Sequence, residues 1–182
     1  MKKLFILVSI LAIILMVSCS TAETGVTSPS NTTPLPVEGD EVTYGAVGSF
    51  TNAEPTLEQM LTYAIQDEYL ARSEYEYIIN EIGGSAPFTN IIKAEETHIE
   101  LLIPLFSQYG YTLVEDTSKD HLIVPASITE ALETGVQAEI DNIAMYESFL
   151  NLDLPDDVRV VFETLKNASV SHLSAFQRKL GN

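Results

Sequence analysis

Residues 87–110 read PFTNIIKAEETHIELLIPLFSQYG, and this stretch decides the fold that the sequence predicts. Apolar residues recur in it every three or four positions, which is the period of one face of an α-helix. The series begins near Pro87 and stops at Gly110, a typical helix terminator. Glu95 and His98 interrupt the apolar stripe near its middle and lie one turn apart on the same face. The stretch therefore predicts an amphipathic helix that carries a carboxylate and an imidazole into a protein core.

Three further segments show the same period, so the sequence predicts an all-α domain of four helices over residues 55–182. Ser85 is the expected N-cap of the second helix, and Pro104 is expected to kink this helix or to end it early. The other predicted helices span about Pro55–Ile82, Ser127–Leu150 and, after Pro155, the residues up to Leu180.

The connections between the helices limit their arrangement. Only a few residues join the first helix to the second and the third to the fourth, so each pair is expected to form an antiparallel hairpin. Residues 111–126 join the two hairpins and, at about 3.3 Å per extended residue, can span more than the ~35 Å length of one helix. The second and third helices could therefore run parallel, although an up-and-down bundle with a loose loop fits the same lengths.

The polar residues that interrupt the four apolar stripes all fall near the middle of their helices. In an antiparallel bundle these positions meet in one layer, so three carboxylates and two imidazoles would share a dry core. An unpaired buried carboxylate costs several kcal/mol, and Arg72, at the edge of its stripe, is the nearest cationic side chain. A divalent metal ion would balance this charge, and the mixed donor set suits iron, manganese or zinc. The predicted metal ligands are Glu68, Glu95, His98, Glu139 and His172.

Each of these residues, taken alone, also has a plainer interpretation. A single Glu-x-x-His pair in a helix is often exposed to solvent, and Glu68 would face water if its stripe were rotated by one position. Glu139 lies close to Asp141 on a helix whose acidic face could simply be solvated, and His172 could be a core histidine bonded to a carbonyl group. The coincidence of all the interruptions at one level is what favours a metal site.

The first residues predict export from the cytoplasm. Lys2 and Lys3 precede the apolar run Leu4–Val17, which is too short to span a membrane but is typical of a signal peptide over residues 1–18. The run ends at Ser18-Cys19, which resembles the lipobox of prokaryotic lipoproteins, whose cysteine is lipidated after cleavage. An ordinary cleaved signal or an uncleaved anchor are the alternatives. All three interpretations predict that the rest of the chain lies outside the cytoplasm, and the lipoprotein interpretation predicts a lipid anchor in the cell membrane, hence a location in the cell envelope.

A spacer is expected between this signal and the helices. Residues 19–54 are rich in Ser, Thr and Pro and lack an apolar period, so they predict a flexible tether that holds the domain off the membrane. Val42–Phe50 is more apolar and could pack on the domain, although its pattern indicates no particular secondary structure. The single cysteine excludes a disulfide scaffold, and the net charge of −17 makes nucleic acid an improbable partner because like charges repel.

Several stretches resemble the ferritin-like superfamily, and more closely family 2202 of domains of unknown function. They are DEYLAR at 67–72, PFTNI at 87–91 leading to EETH at 95–98, ALETG at 131–135 and SVSHLSAF at 169–176. The resemblance covers about residues 55–180. It implies a four-helix bundle with a long crossover between the second and third helices. It also implies a di-iron site built from one Glu on each of two helices and a Glu-x-x-His on each of the others.

Carried over by position, the resemblance implies the same five ligands, with Glu95 as the bridge between two ions. Ser169 stands where the sixth ligand, a Glu, is expected, and Asn142 stands where the closer family carries Asp. Both departures reduce the supply of carboxylates, so a single ion, or an unequal pair completed by water or Asp141, also fits. Four tyrosines near this level could assist redox chemistry or orient the ligands, although most of them are better explained as core filler; they are Tyr63, Tyr69, Tyr75 and Tyr146.

Three functions follow as hypotheses. The first is an envelope-anchored iron protein, with one or two ions that react with O₂, peroxide or ferrous iron. The second is a lipid-anchored helical module without metal, whose partner is another envelope protein or a second copy of the chain. The third is a protein that captures cations on its acidic surface without redox chemistry.

Overall fold

The computed structural model describes residues 44–181. Within this range there are five α-helices, a short 3₁₀-helix at Ser118–Asp120 and no β-strand, so the all-α prediction is confirmed. None of these helices is long and apolar enough to cross a membrane. The predicted signal peptide, Cys19 and the first part of the spacer lie outside the described residues. The helices are α1 (Gly45–Ser49), α2 (Leu57–Glu81), α3 (Phe88–Tyr109), α4 (Ile128–Leu150) and α5 (Asp156–Leu180).

The helix ends mostly follow the local sequence signals. Thr56 caps α2: its hydroxyl accepts from the Gln59 backbone N–H, and the Gln59 side chain accepts from the Thr56 N–H. The start of α3 differs from the prediction, because Pro87 rather than Ser85 is the N-cap residue. Pro104 does not end α3 early; the helix continues to Tyr109 because Leu102, Leu105 and Phe106 on its inner face are buried in the core.

Each of the four long helices packs against two of the other long helices. The α2–α3 pair forms one hairpin and the α4–α5 pair forms the other, while α2 also packs on α4 and α3 on α5. The contacts show that α2 and α3 are antiparallel, because the Tyr75 ring packs on Phe88 whereas Glu68, earlier in α2, contacts His98 later in α3. The short connections therefore build the two expected hairpins.

The two hairpins are joined so that α3 and α4 run parallel. Glu68 contacts Tyr146 and, further along α2, Tyr75 contacts Glu139, so α2 and α4 are antiparallel. Since α2 is antiparallel to both α3 and α4, these two helices must share one direction. The connection between them lies along α2, where the buried Ser118 hydroxyl is 2.7 Å from that of Ser73.

The helix α1 lies in the region that the sequence analysis assigned to the spacer. It packs on α2 and α4, and its Ala46 N–H donates to Asp67 Oδ1 at 2.7 Å. Gly45 makes this contact possible, since its φ of 59° favours glycine and a Cβ there would lie 2.6 Å from the Asp67 carboxylate. Packed structure therefore begins at least as early as Tyr44, which is buried and stacks on His121.

The apolar core consists of two clusters with a polar layer between them. Along each long helix, the residues of one cluster precede the layer and those of the other follow it. One cluster is centred on rings such as Phe106 and Phe162, and the other on Tyr75, Phe88 and Phe176. The predicted ligands occupy the level between the clusters, where each is buried.

A buried carboxylate outside this layer gives a first prediction. Glu74 accepts a hydrogen bond from the Ile123 N–H at 3.1 Å, and burial raises its pKa from 4.5 to about 7. The folded state therefore binds this proton more tightly than the unfolded state between these pH values, so stability falls as pH rises through this window. The full cost is at most about 3 kcal/mol. We expect Glu74→Gln to flatten the decline in melting temperature between pH 5 and pH 8.

The matched control for this prediction is Glu76→Gln, which neutralises an exposed carboxylate on the same helix. This variant should keep the decline of the wild-type protein. An unchanged pH profile in Glu74→Gln would contradict the assigned cost of burying Glu74.

Candidate metal centre

The structure brings all five predicted ligands together in the polar layer. Their side chains form two groups whose donor atoms lie within 4.8 Å of one another, and every member is buried. Each of the four long helices contributes at least one member, which is why no local stretch of sequence displays the site. Such a group of carboxylate oxygens and imidazole nitrogens could hold a metal ion. The first group is Glu68, Glu95 and His98, and the second is Glu95, Glu139 and His172.

Glu95 belongs to both groups and directs one oxygen toward each. Its Oε2 lies 2.7 Å from His98 Nδ1, and its Oε1 lies 3.2 Å from His172 Nδ1. The two rings are nearly parallel, with centroids 5.7 Å apart. A carboxylate placed in this way can bridge two neighbouring ions, so the geometry of Glu95 fits the bridging position that the resemblance implies.

The other two carboxylates flank the pair of imidazoles. Glu68 Oε2 lies 3.0 Å from His98 Nδ1, and Glu139 Oε1 lies 3.4 Å from His172 Nδ1. In each group the outer glutamate and Glu95 therefore approach the same imidazole nitrogen, Nδ1. A cation held by either group would be surrounded by two carboxylates and one nitrogen.

Two buried tyrosines orient these outer carboxylates. The Tyr146 hydroxyl donates to Glu68 Oε1 at 2.8 Å, and the Tyr75 hydroxyl donates to Glu139 Oε1 at 3.1 Å. The pKa of both phenols is raised well above 10, mainly by burial and to a smaller extent by the neighbouring carboxylates. Both phenols therefore remain protonated donors. Hydrogen bonds of this kind fix the orientation of ligands around a metal ion.

One buried nitrogen shows whether the donor set fits a metal ion, because it has no hydrogen-bond partner in the layer. His172 Nδ1 is buried without a hydrogen-bond partner, because the nearby oxygens of Glu95 and Glu139 lack the direction that a hydrogen bond requires. The contacts of 3.2 Å and 3.4 Å to the two carboxylates are ion pairs of poor hydrogen-bond geometry. A cation between this nitrogen and the two carboxylates would satisfy all three groups, so the residues present fit a metal ion.

Without a metal, protons balance the charge of the layer. Burial raises the pKa of Glu68 to about 8 and that of Glu139 to about 7. Burial also acts to raise the pKa of Glu95, but the two facing imidazoles outweigh it and lower the value to about 2. Burial acts to lower the pKa of His98 and His172, but the facing carboxylates raise the values to about 10 and about 9. A metal ion that binds here must displace these protons.

The two positions that depart from the di-iron pattern are hydrogen-bonded to each other. The buried Ser169 hydroxyl donates to Asn142 Oδ1 at 2.6 Å, and Asn142 Nδ2 donates to Asp67 Oδ2 at 2.6 Å. Asp67 in turn accepts from the Ala46 N–H of α1. Neutral side chains thus occupy the place where the sixth carboxylate is expected, and they link the layer to α1.

Several residues considered in the sequence analysis lie outside the two groups. Arg72 pairs with Asp116 on the crossover and stacks on Tyr69, so it does not neutralise the buried carboxylates. Asp141 accepts from Gln137 on its own helix and is not a member of either group. Of the four tyrosines considered, only Tyr75 and Tyr146 donate to predicted ligands.

The sequence itself distinguishes Tyr75 and Tyr146 from the other tyrosines. The α2–α3 and α4–α5 hairpins carry equivalent residues at equivalent spacings, with each outer glutamate followed by a tyrosine about two turns later. Glu95 and Ser169 are the equivalent pair that differs in chemistry. The matching pairs are Glu68 with Glu139, Tyr75 with Tyr146, Phe88 with Phe162, and His98 with His172.

Comparison with known proteins identifies a relative without a stated function. No family model matches the sequence. The uncharacterized protein MJ0754 of Methanocaldococcus jannaschii is 27% identical over 134 residues, which cover 64% of this chain and 71% of that protein. The crystal structure of the hypothetical protein MJ0754 from Methanococcus jannaschii is similar with a TM-score of 0.63 and 26% identity, covering 71% of this chain and 83% of that one. The likeness supports a shared fold.

Proposed function

We propose that the chain is an envelope-anchored, ferritin-like metal-binding protein whose buried layer holds one or two iron ions. The observation that carries the proposal is the sharing of Glu95 between two groups of buried carboxylate and imidazole donors. Two adjoining positions with one common carboxylate are what a pair of ions requires. The parallel α3 and α4 and the resemblance of residues 55–180 support the ferritin-like assignment.

The resemblance to ferritin-like proteins is what favours iron among the ions that the donor set suits. Each group offers two carboxylates and one imidazole, a combination that also suits manganese and zinc. Two buried phenols lie against the outer carboxylates, where they can donate hydrogen bonds without being ionised. Bound iron would supply one-electron chemistry toward O₂, peroxide or ferrous substrate, while Glu68 and Glu139 hold it and the core excludes water.

The location in the envelope is part of the proposal and rests on residues 1–19 alone. A signal peptide, a lipidated Cys19 and a spacer would hold the helical domain near a membrane while leaving the buried layer unchanged. The domain would need no membrane-spanning helix of its own. Radiolabelled palmitate incorporated by the wild-type chain, and not by Cys19→Ala, would support this part of the proposal.

The test of metal binding is the iron content of the purified protein after anaerobic loading with Fe(II) and exposure to air. We expect between one and two iron ions per chain and charge-transfer absorption in the near ultraviolet, and we expect Glu95→Ala/His98→Ala to lose both. Glu96→Ala removes an exposed carboxylate next to Glu95 and should load like the wild-type protein. Equal iron in all three proteins would contradict the proposal and favour surface capture. No iron in any of them would favour the metal-free interaction module.

A further inference from the structure

A cavity lined by none of the five predicted ligands lies between α1, α2, α4 and the crossover. Its volume is about 110 Å³, and its apolar walls include Ala46 and Val47 of α1, Leu70 of α2 and Ile123 of the crossover. Val47 and Ile123 are also 50% and 59% exposed, so the cavity opens to the surface between α1 and the crossover. An apolar cavity of about 150 Å³ can hold benzene, so this one has room for about four or five non-hydrogen atoms.

Glu74 lines this cavity with a carboxylate that is only partly satisfied. The residue is 5% exposed. Its Oε1 accepts a hydrogen bond from the Ile123 N–H at 3.1 Å, whereas its Oε2 accepts from none of the described residues. Buried carboxylate oxygens are normally hydrogen-bonded. The second oxygen of Glu74 therefore marks a place where a proton donor would be stabilised.

The other two carboxylates that line the cavity are already engaged. Asp67 accepts one hydrogen bond at each of its oxygens, and Asp141 accepts from Gln137 on its own helix. No lysine, arginine or histidine is among the described residues that line the cavity. Glu74 thus contributes a negative charge to the cavity, and no described side chain there carries a positive charge to balance it.

The walls and the carboxylate together select one kind of ligand. Carboxylates repel anions, and apolar walls cannot replace the water around a small inorganic cation. A neutral apolar molecule would fill the space but leave the Glu74 oxygen without a donor. A short alkyl chain that ends in an ammonium group meets both requirements, because the chain covers the apolar walls and the ammonium group donates to the carboxylate.

We propose that this cavity binds an alkylammonium group of about four or five non-hydrogen atoms, whose nitrogen donates to the second oxygen of Glu74. The group belongs either to a free amine or to a lysine side chain of another protein, because both offer the same chemistry. The inference goes beyond the proposed function, since it requires no metal ion.

The test measures the binding of n-butylammonium chloride to the metal-free protein, in chelator at pH 8, by isothermal titration calorimetry. At this pH Glu74 is mostly ionised, because its pKa is about 7, and the alkylammonium group is still protonated. We expect saturable binding of one amine per chain. Glu74→Gln keeps an oxygen that can accept from the Ile123 N–H but removes the charge, so it should weaken binding by about tenfold or more.

Matched variants and ligands separate the cavity from the rest of the acidic surface. Glu76→Gln neutralises an exposed carboxylate on the same helix and should bind n-butylammonium like the wild-type protein. Thr134→Leu extends a half-buried lining side chain into the cavity and should also weaken binding by about tenfold. Methylammonium, which lacks the chain, and n-butanol, which lacks the charge, should each bind more weakly than n-butylammonium.

The inference is overturned if binding does not saturate, or if Glu74→Gln binds n-butylammonium as tightly as the wild-type protein. Equal affinity for methylammonium would also overturn it, because charge alone would then explain the binding. Nα-acetyl-lysine amide distinguishes the two sources: binding at least as tight as that of n-butylammonium assigns the cavity to a lysine side chain, and weaker binding assigns it to a free amine. Since metal is absent throughout, these results are independent of the proposed iron site.

Discussion

Metal ions are expected to raise the melting temperature of the metal-free protein by roughly 10 °C when the free ion is at about one hundred times its dissociation constant. This concentration stabilises the folded state by about 2.7 kcal/mol per site, and a domain of this size gains about 4 °C per kcal/mol. Glu95→Ala should lose the whole shift, because Glu95 belongs to both groups. Melting followed by circular dichroism, with Fe(II), Mn(II) or Zn(II) added after chelation, measures the effect.

The variants at other positions make this prediction specific. Glu139→Ala removes a donor from the second group only, so part of the shift should remain through Glu68, Glu95 and His98. Glu96→Ala should retain all of it, since Glu96 is exposed on the same helix. A full shift in Glu95→Ala would show that the ion binds elsewhere on this acidic chain.

Removing two of the buried carboxylates should have the opposite effect in the absence of metal. Glu68→Gln/Glu139→Gln leaves Glu95 as the one carboxylate facing the two imidazoles, so a single protonated imidazole balances the charge. Glutamine also preserves the oxygen that accepts from each tyrosine. Because burial makes ionisation of Glu68 and Glu139 unfavourable, glutamine removes a cost that grows as pH rises, and we expect a higher melting temperature at pH 8 than that of the wild-type protein in chelator.

Metal should add little to the free energy of unfolding of the same double variant. We therefore expect the double variant to be the more stable protein in chelator and the wild-type protein to be the more stable one when metal is present. Chemical denaturation with and without metal measures both differences. The control, Glu76→Gln/Glu133→Gln, neutralises one exposed carboxylate on α2 and one on α4 and should follow the wild-type protein in both conditions. A double variant that is less stable in chelator would show that the carboxylates support the fold directly.

The helices and the convergence of the five polar residues could be predicted because both follow from the period of the apolar residues. Glu95 and His98 interrupt a stripe whose phase is clear from a whole helix of apolar neighbours, and the same holds for Glu139 and His172. Single residues at the helix ends were less predictable: Ser85 has the chemistry of an N-cap, yet α3 begins only after Pro87.

Other parts of the site depend on contacts that no local pattern encodes. Asp67 is next to Glu68 and reads as one more acidic surface residue, but α1 covers it and its carboxylate accepts from Ala46 and Asn142. The positions of Tyr75 and Tyr146 in their stripes are equally typical of core residues. Their role becomes visible only when the facing helix brings a glutamate to each hydroxyl. Comparing one hairpin with the other separates these two tyrosines from the other candidates, and it marks Ser169 at the same position as the resemblance does.

The division of the ligands between the hairpins affects the order in which the site can form during folding. Glu68, Glu95 and His98 all lie on the α2–α3 hairpin, whose contacts are local and quickly made. The second group combines Glu95 with Glu139 and His172, so it exists only after the α4–α5 hairpin has docked across the long crossover. An ion in the first group would therefore be held by one hairpin alone, whereas an ion in the second group would join the two hairpins and oppose their separation.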